Sequence, residues 1–92
     1  MKKYYIGNET LYVLDGTQVE LKYYILESEH EIDSIMVKEY GIEIEKQDTA
    51  RIEKSQVVNI TTNQTRIDFI VKTLMKNNVT PVHLRDVIVD ML

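Results

Sequence analysis

The stretch QVELKYYILE, residues 18–27, decides the fold of this 92-residue chain. Apolar and polar side chains alternate along it, which is the period of a β-strand with one buried face. The alternation places one set of apolar side chains on a common face: Val19, Leu21, Tyr23 and Ile25. We therefore predict a long strand that lies with one side against the core.

A second strand is predicted on the amino-terminal side of this stretch. LYVL, residues 11–14, leads directly into the dipeptide Asp15-Gly16. This dipeptide favours a two-residue hairpin turn, because both turn positions need a positive φ. The sequence therefore predicts that residues 11–14 pair with the strand that begins near residue 18.

A second hairpin is predicted on the carboxyl-terminal side. The polar segment ESEHEID, residues 27–33, is interpreted as a solvated loop that leads to SIMVKEYGIEIEK, residues 34–46. Gly41 within that strand indicates a bulge or a close backbone approach, or is simply tolerated there. A short fourth strand is predicted around QVVNI, residues 56–60.

The hydrophobic period becomes helical after residue 61. Thr62 or Asn63 can cap a first helix, and Asn77-Asn78 can end it. Thr80 is predicted to cap a second helix, with Pro81 at its first position, where a missing N–H costs nothing. Each helix carries an apolar stripe: Ile67, Ile70, Val71 and Leu74 in the first, Leu84, Val87, Ile88 and Met91 in the second.

These patterns predict one α+β domain over residues 1–92. Residues 1–61 are expected to form an antiparallel sheet of three or four strands, and residues 62–92 a helical hairpin that packs on one face of it. A helix, a short turn and a second helix also occur in DNA-binding proteins. Here the outward Asp86 and Asp90 would repel phosphates, so the plain helical hairpin is favoured.

Composition and charge exclude several function classes. The net charge is −4 and no basic run occurs, so binding to nucleic acid or to anionic membranes is not expected. The basic start at residues 1–5 is interrupted by Gly7 before it could form a signal peptide, and no stretch is apolar enough to cross a membrane. The chain has no cysteine, which suits a reducing compartment, and we expect a cytoplasmic protein.

No catalytic or cofactor motif is present in the sequence. It contains no G-x-S-x-G, no glycine-rich phosphate loop and no HExxH, so we expect neither an enzyme nor a bound cofactor. His83 and Asp86, one helical turn apart, are the candidates for a metal or small-ligand site. Both also have a structural interpretation, as a packed histidine and a solvated carboxylate. His30 lies among acidic residues that lack the spacing of a calcium loop.

Some apolar residues fall outside the predicted core faces. They are Phe69, Val82 and Val89 on the helices and Leu26, Ile35 and Val37 in the central hairpin. Single exposed apolar residues are common and need no function. The alternative interpretation is that a partner protein or a second copy covers them. We therefore predict a small interaction or regulatory module that self-associates; the alternative is a small-ligand or metal-binding protein centred on the last helix.

The carboxyl-terminal segment NNVTPVHLRDVIVDML, residues 77–92, preceded by RIDFIVKTLMKN, resembles a pattern in a family of short uncharacterised bacterial proteins. The pattern can be written N-x-V-T-P-x-H-L-x-D-V-I-x-D, and the likeness extends over most of the chain. The resemblance implies a small stand-alone protein and no known activity. It assigns no role to any residue.

Overall fold

Four antiparallel strands and two helices make up the computed structural model, which describes residues 1–92. The strands follow one another as neighbours in a single sheet, and both helices come after them. In chain order the elements are β1 (Lys2–Tyr12), β2 (Gln18–Ile32), β3 (Ile35–Gln47), β4 (Ile52–Thr61), α1 (Gln64–Lys76), a 3-10 turn (Pro81–His83) and α2 (Leu84–Met91). The predicted α+β class is confirmed, with four strands.

The core lies between the helices and one side of the sheet, which we call the front face. β2 and β3 present alternate residues to it, as their period of two requires. The Tyr23 hydroxyl within this core donates a hydrogen bond of 2.9 Å to the carbonyl oxygen of Val79. The fully buried side chains come from both layers: Leu21, Tyr23, Ile42, Ile44, Ile67, Ile70, Val71, Leu74, Leu84 and Ile88. The predicted helical stripes therefore do face the sheet.

Capping residues set the helix ends. The Asn63 side chain accepts a hydrogen bond of 2.9 Å from the backbone N–H of Arg66, so Asn63 caps α1. Asn77 ends that helix, and Asn78 takes a positive φ. Thr80 does occupy the cap position before Pro81, but its side chain makes no capping hydrogen bond. The second helical segment also begins as a 3-10 turn before α2.

The first hairpin differs from its prediction. β1 ends at Tyr12, and a five-residue loop, Val13 to Thr17, replaces the expected two-residue turn at Asp15-Gly16. Only Gly16 has a positive φ there. The Asp15 carboxylate instead accepts a hydrogen bond from the backbone N–H of Thr17, which closes the wider loop.

The second hairpin overturns the interpretation of ESEHEID as a loop. β2 continues to Ile32 and pairs along its whole length with β3, so residues 27–32 are strand. The chain reverses over Asp33-Ser34, both of which take a positive φ. A two-residue turn with this geometry matches the twist of the flanking strands. The result is an extended hairpin whose end lies far from the helices.

Close packing requires a glycine at position 41, which confirms the prediction of a bulge or a close backbone approach there. The pairing of β3 with β4 shifts between Tyr40 and Ile42, and Asn59 in the bulged part of β4 has a positive φ. A Cβ atom on Gly41 would lie 2.8 Å from the Cα of Val58 and closer still to the carbonyl oxygen of Val57. The backbone of β4 therefore occupies the space of a side chain.

Candidate functional site

Residues 28–39 form a two-stranded ribbon that extends beyond the rest of the sheet, and we call it the arm. β1 pairs with β2 only as far as Glu27, and β4 pairs with β3 only as far as Tyr40. Beyond these positions the two strands of the arm pair only with each other. The molecule is accordingly elongated, with extents of 55 × 23 × 18 Å. Neither helix covers the arm, so both of its faces meet solvent.

The end of the arm carries large apolar side chains. Ile32, Ile35 and Met36 are each more than half exposed, with Ile35 at 65%. Val37, two residues farther along, is only partly buried. Ile35 and Val37 were predicted as interaction residues, and the structure places them on one face of the arm and on the outside of the molecule. Ile32 was missed because residues 27–33 were interpreted as a loop. Met36 was expected on the core face with Ile42 and Ile44, but it lies on the arm, which the helices do not cover.

The predicted helical residues are also exposed. Phe69, the only phenylalanine of the chain, lies on the side of α1 away from the sheet and is 64% exposed. Val82 and Val89 are exposed on the second helical segment. Leu26 was predicted to belong to the same set, but this is wrong: it is 2% exposed. Its partner across β3 is Gly41, where β4 comes close, so Leu26 is not available to a partner protein.

A cleft of about 440 Å³ lies between β1, the front face and the first turns of α1. Its apolar lining includes Ile6, Ile25 and Ile67. Two carboxylates, those of Glu27 and Asp68, also line it. Glu27 is nearly buried; it accepts a hydrogen bond of 3.3 Å from the Tyr4 hydroxyl and lies 3.9 Å from the Lys38 ammonium. No local sequence pattern indicates this cleft, because its residues come from four separate elements.

The back face of the sheet, opposite the helices, carries a polar cluster around Glu43. Lys3 forms an ion pair with Glu43 and lies 4.2 Å from the centroid of the Tyr24 ring. Gln56 donates a hydrogen bond of 2.7 Å to the same carboxylate. Burial alone would raise the pKa of Glu43, but the hydrogen bonds from Lys3 and Gln56 and the nearby positive charges hold it below its ordinary value. The hydrogen bond with Glu43 in turn raises the pKa of Lys3. These contacts explain the cluster as a structural one.

His83 and Asp86 lie one turn apart at the start of α2, and both are exposed. No group of three or more histidine, cysteine, aspartate or glutamate side chains converges there or elsewhere in the chain. The structure therefore brings no third ligand to the predicted pair. His30 lies on the arm instead, 3.7 Å from the carboxylate of Glu39.

The comparison with known proteins concerns the whole chain and not one site. Neither helix is long and apolar enough to span a bilayer. No curated protein and no solved structure matches the chain significantly. One family does match, over residues 2–92, and its description is a family of unknown function (DUF6514). Because the match covers almost every residue, the chain belongs to this family.

Proposed function

We propose that the protein is a small protein-interaction module that self-associates and has no catalytic activity of its own. The observation that carries the interaction role is the arm, whose apolar side chains Ile32, Ile35 and Met36 lie outside both layers of the fold; the self-association involves a surface other than the arm. A two-stranded ribbon without a covering layer is marginally stable in water. A protein that covers the arm would therefore stabilise it as well as bind it.

Burial of the apolar side chains at the tip of the arm would favour binding. Full burial of one large aliphatic side chain contributes about 2 kcal/mol. Ile32 and Ile35 pair on one face of the arm and Met36 lies on the other, so the tip offers apolar side chains to a partner on both sides. Phe69, Val82 and Val89 are further exposed apolar side chains, on the helices.

The charge of the arm favours a particular kind of partner. Residues 28–39 contain four acidic side chains and a single lysine, Lys38. Two arms would repel each other, whereas a protein with an apolar groove and a basic rim would be attracted. We therefore assign the arm to a partner other than a second copy.

Site-specific photo-crosslinking tests the arm directly. A photoreactive amino acid replaces Ile35 in one variant and Lys76, an exposed position on α1, in a matched control. We expect a discrete adduct from position 35 in living cells and none from position 76. An adduct whose mass differs from that of two cross-linked copies of this chain contains a different protein. No adduct from position 35, or the same adducts from both positions, would contradict the assignment of the arm.

Sedimentation equilibrium tests self-association. The average mass of the wild-type chain should rise with concentration between about 1 and 500 μM, the range in which modest interfaces associate. A constant monomer mass over this range would show that the protein does not self-associate.

Binding of a small ligand is a second candidate function, and one observation favours the cleft rather than the last helix. The nearly buried Glu27 carboxylate lines an apolar cleft of about 440 Å³, within the range of ligand pockets. A small amine with an apolar body would complement it. Phenethylamine should then shift the amide resonances of residues around the cleft in the wild type and shift them less in Glu27→Gln. Unchanged spectra at millimolar concentration would exclude this class of ligand.

A further inference from the structure

The two edges of the sheet differ in how far they are protected. At one edge, β4 is interrupted by its bulge near Asn59, and the second helical segment packs beside it. At the other edge, β1 runs for eleven residues. No backbone hydrogen bond outside the regular ladders involves residues 2–12. The outward N–H and C=O groups of β1 are therefore free to pair with another strand.

A bulge at Ile6 changes which side chains of β1 share a face. The register with β2 shifts between Tyr5 and Gly7, so the alternation restarts after Ile6. Lys2 and Glu9, which strict alternation would place on opposite faces, both lie on the front face. Lys3 and Asn8 both lie on the back face.

Lys2, Lys3 and Glu9 are the only charged residues of β1, and they lie at opposite ends of it. Neither Lys2 nor Glu9 forms an ion pair within the chain. Antiparallel pairing of β1 with a second β1 brings the basic end of each strand to the acidic end of the other. Parallel pairing in register would bring like charges together.

The geometry points to a homodimer in which the two β1 strands pair antiparallel, with Lys2 of each copy opposite Glu9 of the other; this rests on the proposed self-association. In the same register Lys3 lies opposite Asn8, and Tyr4 opposite Gly7, with every pair on one face. A two-fold axis perpendicular to the sheet relates the copies, which is the commonest symmetry of homodimers. Both sheets then continue as one, and the exposed side chains of Tyr4, Tyr5 and Ile6 flank the junction.

Charge reversal with rescue tests the register. Glu9→Lys and Lys2→Glu each replace two symmetry-related attractions with two repulsions, and each should raise the dimer dissociation constant by about tenfold or more. The double variant Lys2→Glu/Glu9→Lys restores opposite charges and should return the constant to within about threefold of wild type. Sedimentation equilibrium measures the constants, and circular dichroism checks that each variant is folded. Raised salt should weaken the wild-type dimer.

The arm supplies the control. Ile35→Thr/Met36→Thr changes the exposed tip of the arm and should leave the dimer constant unchanged. Association that withstands both charge reversals, or that the double variant fails to restore, would overturn pairing along β1 while self-association itself stands. Loss of association in the arm variant alone would move the contact to the arm. A wild-type chain that remains monomeric would overturn the self-association and this interface together.

Discussion

The two faces of the sheet are shielded from water in different ways. The front face is covered by a separate layer, because α1 and α2 lay their apolar stripes on it. The back face has no second layer, yet Glu43 at its centre is only 3% exposed. Its shield consists of side chains of the sheet itself: Lys3, Tyr24 and Gln56.

The difference shows that one alternating sequence can make two kinds of protected surface. On the front face the free energy comes from apolar burial, which is insensitive to pH and weakly sensitive to salt. On the back face, opposite charges alternate across neighbouring strands, as in Lys22, Glu45 and Lys54. Such pairs contribute little singly and depend on ionisation. The two faces should therefore respond differently to mutation and to pH.

The largest effect is expected on the front face. Leu84 in α2 is fully buried, and Leu84→Ala should lower the free energy of unfolding by about 3 kcal/mol, because it leaves a cavity in a thin core. Val89→Ala, in the same helix but exposed, should change it by less than about 0.5 kcal/mol. Urea unfolding followed by circular dichroism measures both. Similar losses in the two variants would mean that Val89 is also buried in solution.

The next effect concerns the point where β4 approaches the central strands. Gly41→Ala should destabilise the fold by about 2 kcal/mol, since its Cβ meets backbone atoms of Val57 and Val58. Gly7→Ala is the matched control. Its Cβ meets the terminal methyl group of Met75, a flexible side chain that can move aside, so the loss should be well under half as large. Equal losses in urea unfolding would show that the backbone of β4 moves aside as easily as the Met75 side chain.

The contribution of the back face to stability should depend on pH. The pKa of Glu43 is lower in the folded chain than in the unfolded chain, so the carboxylate stabilises the fold above its unfolded pKa. That stability is lost as the pH falls through the folded pKa. The stability that Lys3 contributes depends on pH in the opposite direction. Because the pKa of Lys3 is raised in the folded chain, its contribution is lost only at strongly alkaline pH. Thermal unfolding between about pH 3 and 7 should therefore show a steeper acid loss in wild type than in Glu43→Gln.

An exposed carboxylate provides the comparison for that experiment. Glu29 lies on the arm and forms no ion pair within the chain, so Glu29→Gln should keep the acid slope of the wild type. If both variants flatten the curve equally, the acid loss belongs to general surface charge and not to the cluster around Glu43.

Sequence patterns predicted the front face well, for a physical reason. Residues 18–27 alternate because one side is buried, and the stripe of α1 follows the period of a helix, so both are local signals. The arm was missed because its turn, Asp33-Ser34, contains neither glycine nor asparagine, although both residues have a positive φ. Polar residues 27–31 resemble a loop, yet they form a strand because β3 pairs with them.

The candidate surfaces depend on contacts that no local pattern contains. Leu26 is buried and lies opposite Gly41, which the backbone of β4 approaches closely at a point more than thirty residues after Leu26 in sequence. The shared face of Lys2 and Glu9 follows from the bulge at Ile6, where the register with β2 shifts before Gly7. In β1 the register shift decides which side chains share a face, because a shift of one residue exchanges the two faces of a strand.

The smallest expected effect lies at a helix end, outside both faces of the sheet. Asp90 is exposed in the last turn of α2, where the helix dipole disfavours a negative charge, and it forms no ion pair. Arg66 donates instead to the carbonyl oxygen of Met91, at 3.5 Å. Asp90→Asn should therefore leave the free energy of unfolding unchanged or raise it by a few tenths of a kcal/mol. Asp86→Asn, at the favourable end of the same helix, should lower it by a similar amount. Urea midpoints at low salt measure both. A clear loss in Asp90→Asn would mean that this carboxylate has a specific partner in solution.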